Sequence, residues 1–465
     1  LPEIGLLVLF FLLLLIDLFW KKSSLLFYVL LFGLVIEIAL IYFTPLQTNL
    51  FLNVISADAF AKVFKYIFSI TSILVLLILK QSKRDIKIVE QSGESFGILA
   101  LIILGMNLLA MSQHLLLMFL SLEIVSIGSY VLTLLSFERK SVEISMKYVL
   151  FGIFSSAIML YGMSLLYGLS GSLQLATIAQ LAQANHLTFP LMLAFGLSIA
   201  GFLFKISASP FHIWTPDVYE GAPTSIVAFF STVSKAAGLA VICRFAMSLS
   251  GLEIYNLLVV IVLASITIGN FSALWQQSFK RLMAYSGIAQ AGFILIGLLT
   301  FSDTGMRVLF FYLIIYIVAN LLAFLSIIII ENHFQSDKLE IFSGLGQKSI
   351  VFGVCFSISM LTLVGLPPTA GFTAKLLIFT QLWQGKGTML ALITLIIGLL
   401  TTAISLYFYL KIPYNLFFKN ILTQENHFQL NLSQKVLLAF FTIFLLWFFF
   451  QPHLLIEMLK SNFGI

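Results

Sequence analysis

Charge is what this chain has least of: 9% of its 465 residues are Asp, Glu, Lys or Arg, while 60% are hydrophobic. Soluble domains carry roughly 25% charged residues. A soluble multidomain enzyme is therefore excluded, and the composition is that of a polytopic α-helical membrane protein. No stretch is polar enough to build a sizeable domain outside the bilayer. Cysteine is nearly as scarce. Cys243 and Cys355 lie far apart, each in an apolar run, with no CxxC or Cys/His cluster. Neither a zinc nor an iron–sulfur site is indicated, and both cysteines read as small core residues. A phosphate-cradling glycine loop, a haem-ligand pair and a Ser/His/Asp arrangement are also missing, so catalysis by this chain alone is not expected. The net charge of +6 sits mostly in short loops, where it reports orientation in a membrane rather than nucleic-acid binding.

What is present in abundance is long apolar runs. About 20 apolar residues cross the hydrocarbon. By that measure fourteen spans are expected, near residues 4–20, 25–43, 59–80, 95–112, 114–136, 147–169, 190–209, 223–247, 254–275, 279–299, 305–330, 350–383, 388–411 and 435–453. The first run is longer than a signal-peptide core and lacks a small-residue cleavage site, so it is expected to be a retained helix. Gln174 to Phe189 is the longest uncharged loop. Of the 25 Lys and Arg residues, sixteen fall in odd-numbered loops and six on the opposite side. The other three, Lys205, Lys235 and Lys375, lie inside spans. This bias places the odd loops in the cytoplasm and both termini outside.

Two spans are interrupted. Lys205 ends an apolar run that Pro210 closes, and Gly365-Leu366-Pro367-Pro368 precedes Lys375 in the twelfth span. Proline removes an amide donor, which a membrane tolerates only where neighbours or waters satisfy the freed carbonyls. The two breaks lie five spans apart, so they meet the membrane with opposite polarity. Paired broken helices of this kind point to inverted repeats. The expected organisation is 1–94 (spans 1–3), 95–247 (a five-helix repeat), 248–411 (its inverted counterpart) and 412–465 (a loop and span 14). No convincing residue-level identity links the halves.

Ionisable side chains inside spans are the natural functional candidates, because a charge near the bilayer centre is costly unless it faces protein or water. Glu123 stands well inside the fifth span; a carboxyl bonded to Ser121 or Ser126 near an interface is the plainer alternative. Facing Lys205 at about 8 Å, with an effective dielectric of about 20, it would interact by about 2 kcal/mol. That is strong enough to gate a lysine's proton and weak enough for rearrangement to undo. Lys235 sits among small residues that permit close helix packing, or caps unwound carbonyls. Lys375 is either a proton carrier or the donor that carbonyls freed by Pro367 and Pro368 require. His212, just past the first break, suits proton uptake from the cytoplasm or simple loop packing. Glu37 and Asp17 are weaker cases; Glu37 lines the bundle or faces a partner subunit. Lys280 and Arg281 read as orientation and headgroup charges.

The run Phe204-Lys205-Ile206-Ser207-Ala208-Ser209-Pro210-Phe211-His212-Ile213-Trp214-Thr215-Pro216-Asp217-Val218-Tyr219-Glu220-Gly221-Ala222-Pro223-Thr224 resembles the antiporter-like subunit N family of respiratory complex I, NADH-quinone oxidoreductase. So do Lys280-Arg281-Leu282-Met283-Ala284-Tyr285-Ser286 and Gly365-Leu366-Pro367-Pro368-Thr369-Ala370-Gly371-Phe372. The resemblance runs through nearly the whole chain. It implies fourteen helices, broken seventh and twelfth helices, and proton translocation driven by quinone reduction elsewhere in the complex. By position, Glu123 and Lys205 would form the coupling pair, Lys235 the inward relay and Lys375 the outlet side. Lysine at 375 favours N over the sibling M, where glutamate is usual, and a long lateral helix like that of L is not expected after span 14. Several siblings place a histidine between the half-channels; here the neutral Gln290, Tyr312 and Tyr316 stand in that region, so proton passage there would depend on ordered water. The resemblance implies no cofactor on this chain, with quinone and NAD(P)H or ferredoxin handled by other subunits. It further implies partnership with the sibling and small membrane subunits in a bacterial inner (plasma) membrane, or an organelle's inner membrane. A subunit of a multi-subunit sodium/proton antiporter and a structural scaffold are the competing readings.

Overall fold

A computed structural model describes residues 1–20, 23–91, 93–135, 139–184, 189–248, 254–420 and 428–463. Lys21 and Lys22, counted above for orientation, lie outside the described residues. Among the described residues, thirteen helices are long and apolar enough to cross a membrane, and Ile350–Val364 is a shorter apolar helix. Together they fall on the fourteen expected spans. The seventh span, Phe189–Ile206, stops at Ser207, whose φ of 62° is left-handed, and the chain resumes as a helix only at Trp214–Gly221. The twelfth consists of Ile350–Val364 and Ala370–Lys386, parted at Gly365 with φ 87°. Both expected breaks are therefore present.

Several elements lie outside the apolar pattern. A short antiparallel hairpin, Gln47–Leu50 with Ile55–Ala57, follows the second span. The long uncharged loop contains a helix, Leu175–Ala184. It is held where Leu115 N donates to Leu173 O and Leu175 N to Gln113 O. A final helix, Pro452–Phe463, follows span 14. In the eighth span a π-helical turn, Phe230–Ser234, lies between Thr224–Phe229 and the helix beginning at Lys235. Such single-turn irregularities inside helices often mark functional sites.

The chain divides into two compact units. One comprises Leu1–Leu76, Ile86–Trp214 and Gly221–Leu258; the other comprises Leu77–Asp85, Thr215–Glu220 and Val259–Ile465. In the first unit, Asp58 caps the third span by accepting from Ala61 N at 2.9 Å. It also receives both arms of Arg244 at 2.8 Å, while Arg244 Nε donates to Ala110 O. Burial acts to raise the Asp58 carboxyl, but the Arg244 fork outweighs it and holds the group below the usual carboxylate range. In the second unit, the halves of the twelfth span meet backbone to side: a Cβ at Gly371 would lie 1.8 Å from Thr362 O.

Candidate functional site

In the first unit Lys205 is 2% exposed although its run is otherwise apolar. Its Nζ donates to Ser129 Oγ at 3.1 Å and to Val125 O at 3.4 Å, both on the fifth span. Ser129 in turn donates to Val125 O. Glu123 lies half-buried on the same helix, and its Oε1 accepts from Ser156 Oγ of the sixth span at 2.5 Å. No direct ion pair joins Glu123 to Lys205; the carboxylate acts on the ammonium through space. Neither Ser121 nor Ser126 is the partner suggested by proximity in sequence, since the hydroxyl that meets Glu123 comes from another helix.

The break after Lys205 is sealed by aromatics. Trp214 Nε1 donates to Phe204 O at 3.1 Å, satisfying one carbonyl near the end of the span. Tyr148 stacks on Trp214 at 4.4 Å and on Phe204 at 5.7 Å. Trp214 is thus explained physically: its indole has one donor and a large apolar face, and the break needs both. His212 sits half-buried between them in sequence, with Nδ1 buried and unpartnered. Lys235 is fully enclosed and directly follows the π-helical turn, in which Thr232 Oγ1 and Ser231 Oγ both donate to Ala228 O.

The second unit carries Lys375 and the neutral candidates. Lys375 Nζ donates to Val364 O at 2.6 Å and lies 4.5 Å from the centre of the Phe293 ring. Val364 ends its helix, where carbonyls lose their intrahelical partners, so the donor role expected beside the Pro367-Pro368 break is realised. Gln290 accepts from Tyr312 OH at 2.6 Å and donates to Leu363 O at 2.8 Å and to Tyr409 OH at 3.3 Å. Tyr409 OH is hydrogen-bonded to Ser286 Oγ. A small cavity here is lined by Gln290, Tyr312, Tyr316, Leu363 and Gly371, among others. Gln290, Tyr312 and Tyr316 are therefore gathered around one space, and Gln290 continues through hydrogen bonds to Tyr409 and Ser286, to which the sequence reading gave no role. Tyr409 could have been suspected from a phenol inside an apolar run; Ser286 ends a run that carries the family resemblance, but nothing in that run marks its hydroxyl for a role.

Arg281, read as an orientation and headgroup charge, pairs with Asp217 at 3.0 Å and Glu220 at 2.9 Å. Lys280 approaches Glu331 at 3.8 Å. Among the described residues, no group of three or more His, Cys, Asp or Glu is placed to hold a metal ion.

A polytopic helical bundle with two broken spans and enclosed lysines defines an antiporter-like membrane subunit. The family pattern described as NADH:quinone oxidoreductase/Mrp antiporter, TM, matches residues 112–405. The chain is 39% identical to NADH-quinone oxidoreductase subunit N 2 of Chloroherpeton thalassium, an alignment covering 97% of this chain and 92% of that protein. It is 40% identical to NAD(P)H-quinone oxidoreductase subunit 2 of Microcystis aeruginosa, over 83% of this chain and 76% of that one. A chain in respiratory complex I of Thermus thermophilus superposes with a TM-score of 0.83 at 30% identity, covering 99% of each. A chain of the Mrp complex from Dietzia sp. DQ12-45-1b shares the fold, with a TM-score of 0.85 at 18% identity over 99% of this chain and 97% of that one. This chain belongs to the NADH-quinone oxidoreductase subunit N family.

Proposed function

We propose that the chain translocates protons as a membrane subunit of a quinone oxidoreductase, using Lys205, Lys235 and Lys375 as carriers and Glu123 to bias Lys205. The observation that carries this reading is the setting of Lys205: an enclosed ammonium held by one hydroxyl and one carbonyl, under the field of an acid it does not touch. Such a group can lose its proton when the acid moves or is neutralised, because burial penalises the charged form and only weak contacts oppose release. The unit holding Lys375 supplies a carbonyl, a ring face and the amide–phenol cluster around Gln290. These groups orient water and pass a proton along but do not retain it as a charge.

The quinone and nicotinamide or ferredoxin chemistry belongs to other subunits in this reading, and both termini of the chain face the outer side of the membrane. The test is Lys205→Ala in the assembled complex. Quinone reduction linked to proton pumping should fall by on the order of tenfold, equivalent to about 1.4 kcal/mol, with assembly intact. Undiminished pumping in a fully assembled variant would overturn the assignment.

A further inference from the structure

The three N-terminal spans contain a buried acid that the lysine pathway does not use. Glu37 is 2% exposed within the apolar second span, and Asn107 of the fourth span is fully buried against it. Asn107 Nδ2 donates to Glu37 Oε1 at 2.7 Å. The other arm of each group, Glu37 Oε2 and Asn107 Oδ1, is buried without a hydrogen-bond partner. Both are acceptors if Glu37 is ionised, so neither can serve the other.

No cation compensates Glu37 directly. The charged groups acting on it are Glu3 from the first span and Lys65 from the third. Lys65 is itself buried and is taken by Glu3, Nζ to Oε1 at 2.5 Å. Ser69, one turn beyond Lys65, gives its hydroxyl to Lys65 O at 3.0 Å, and the same hydroxyl lies beside the Glu37 carboxyl. A bare carboxylate enclosed among apolar side chains is costly, and a single proton resolves the whole pattern. Placed on Oε2, it turns that oxygen into a donor for Asn107 Oδ1 and closes a two-point acid–amide pair.

We propose that Glu37 binds a proton shared with Asn107, giving the N-terminal spans a proton-binding site separate from the lysines. Its charged neighbours, the Glu3–Lys65 pair, lie on the flanking helices and set how readily that proton is released. The site stands on its own geometry; only its exchange during pumping rests on the function proposed above.

Infrared spectra of the assembled complex in H2O and D2O test it at neutral pH. Wild type should show a deuterium-sensitive carbonyl band of a protonated carboxyl that Glu37→Gln removes. Glu3→Gln should keep a band that still depends on Glu37 but lower the pH at which it is lost, since it removes a negative neighbour and frees Lys65, and Asn107→Leu should shift the band toward a weaker hydrogen bond. Glu37→Gln should assemble with unchanged thermal stability, because an amide reproduces the two-point pair without a charge. The proposal is overturned if no band depends on Glu37, or if Glu37→Gln destabilises the complex as the loss of a charged partner does. Loss of pumping in Lys205→Ala bears on the lysine pathway alone and leaves this spectrum unaffected.

Discussion

Two enclosed lysines solve the same problem with different acceptors, and the difference is measurable. Lys375 Nζ serves Val364 O at the end of a broken helix, whereas Lys205 adds a long contact to Val125 O, which Ser129 already serves. Removing a donor from a buried carbonyl costs about 1–3 kcal/mol. Lys375→Met should therefore lower the thermal unfolding temperature of the complex more than Lys205→Met does, while both impair proton transfer. Equal destabilisation by scanning fluorimetry would remove the structural half of the Lys375 assignment, and impaired stability with normal transport in both would favour a scaffold. A different residue governs acid sensitivity. Asp58 titrates below its unfolded value, so its pairing with Arg244 contributes stability that is fully present above the unfolded pKa of about 3.9 and is lost as pH falls toward the folded value. Asp58→Asn should unfold at lower temperature than wild type at pH 7, and the gap should narrow below about pH 4. A gap independent of pH would contradict the charge-based account.

At the level of elements, the twelfth span depends on how closely its two halves approach. A methyl at Gly371 would fall 1.8 Å from the backbone oxygen of Thr362, which cannot move aside as a side-chain tip can. Overpacking of this kind costs about 1–3 kcal/mol or more. Gly371→Ala should thus reduce the amount of assembled complex on native gels, and wild-type yield would show that the halves can part without penalty. The membrane spans and both breaks were readable beforehand because a crossing helix imposes a length and an apolar content, and Pro or Gly beside Lys violates both. Lys205, Lys235 and Lys375 stood out for the same reason. Their partners did not: Ser129, Ser156 and Val364 become neighbours only through tertiary packing. The π-helical turn at Phe230–Ser234 is a change of backbone register that no side-chain pattern announces. The Leu175–Ala184 helix and the hairpin escaped because a ruler set for twenty apolar residues passes over short elements. Glu37 was visible as an in-span acid; its enclosure by Asn107 settles that it lines the bundle, which one span's sequence could not reveal.

For the whole molecule, energy is the deciding quantity. Moving one proton against 100 mV requires about 2.3 kcal/mol. In the proposed pathway Lys205 holds a proton and the amide–phenol cluster around Gln290 only passes one, and at equilibrium both return whatever free energy they take up. Work must arrive from partner subunits that bias one arrangement of the bundle over another, because a static site shifts no equilibrium by itself. Two expectations follow for reconstituted vesicles. The complete complex should acidify one compartment when quinone is reduced, and the same preparation lacking this subunit should reduce quinone with fewer protons moved per electron pair. The antiporter alternative makes the opposite demand: a sodium gradient alone, with no quinone and no electron donor, would drive proton movement through vesicles containing the chain and its antiporter-type siblings. Sodium-driven proton flux that Lys205→Ala abolishes would transfer the lysine chemistry to that second role. Its absence, alongside quinone-dependent acidification, leaves redox-driven proton transfer as the function these enclosed lysines serve.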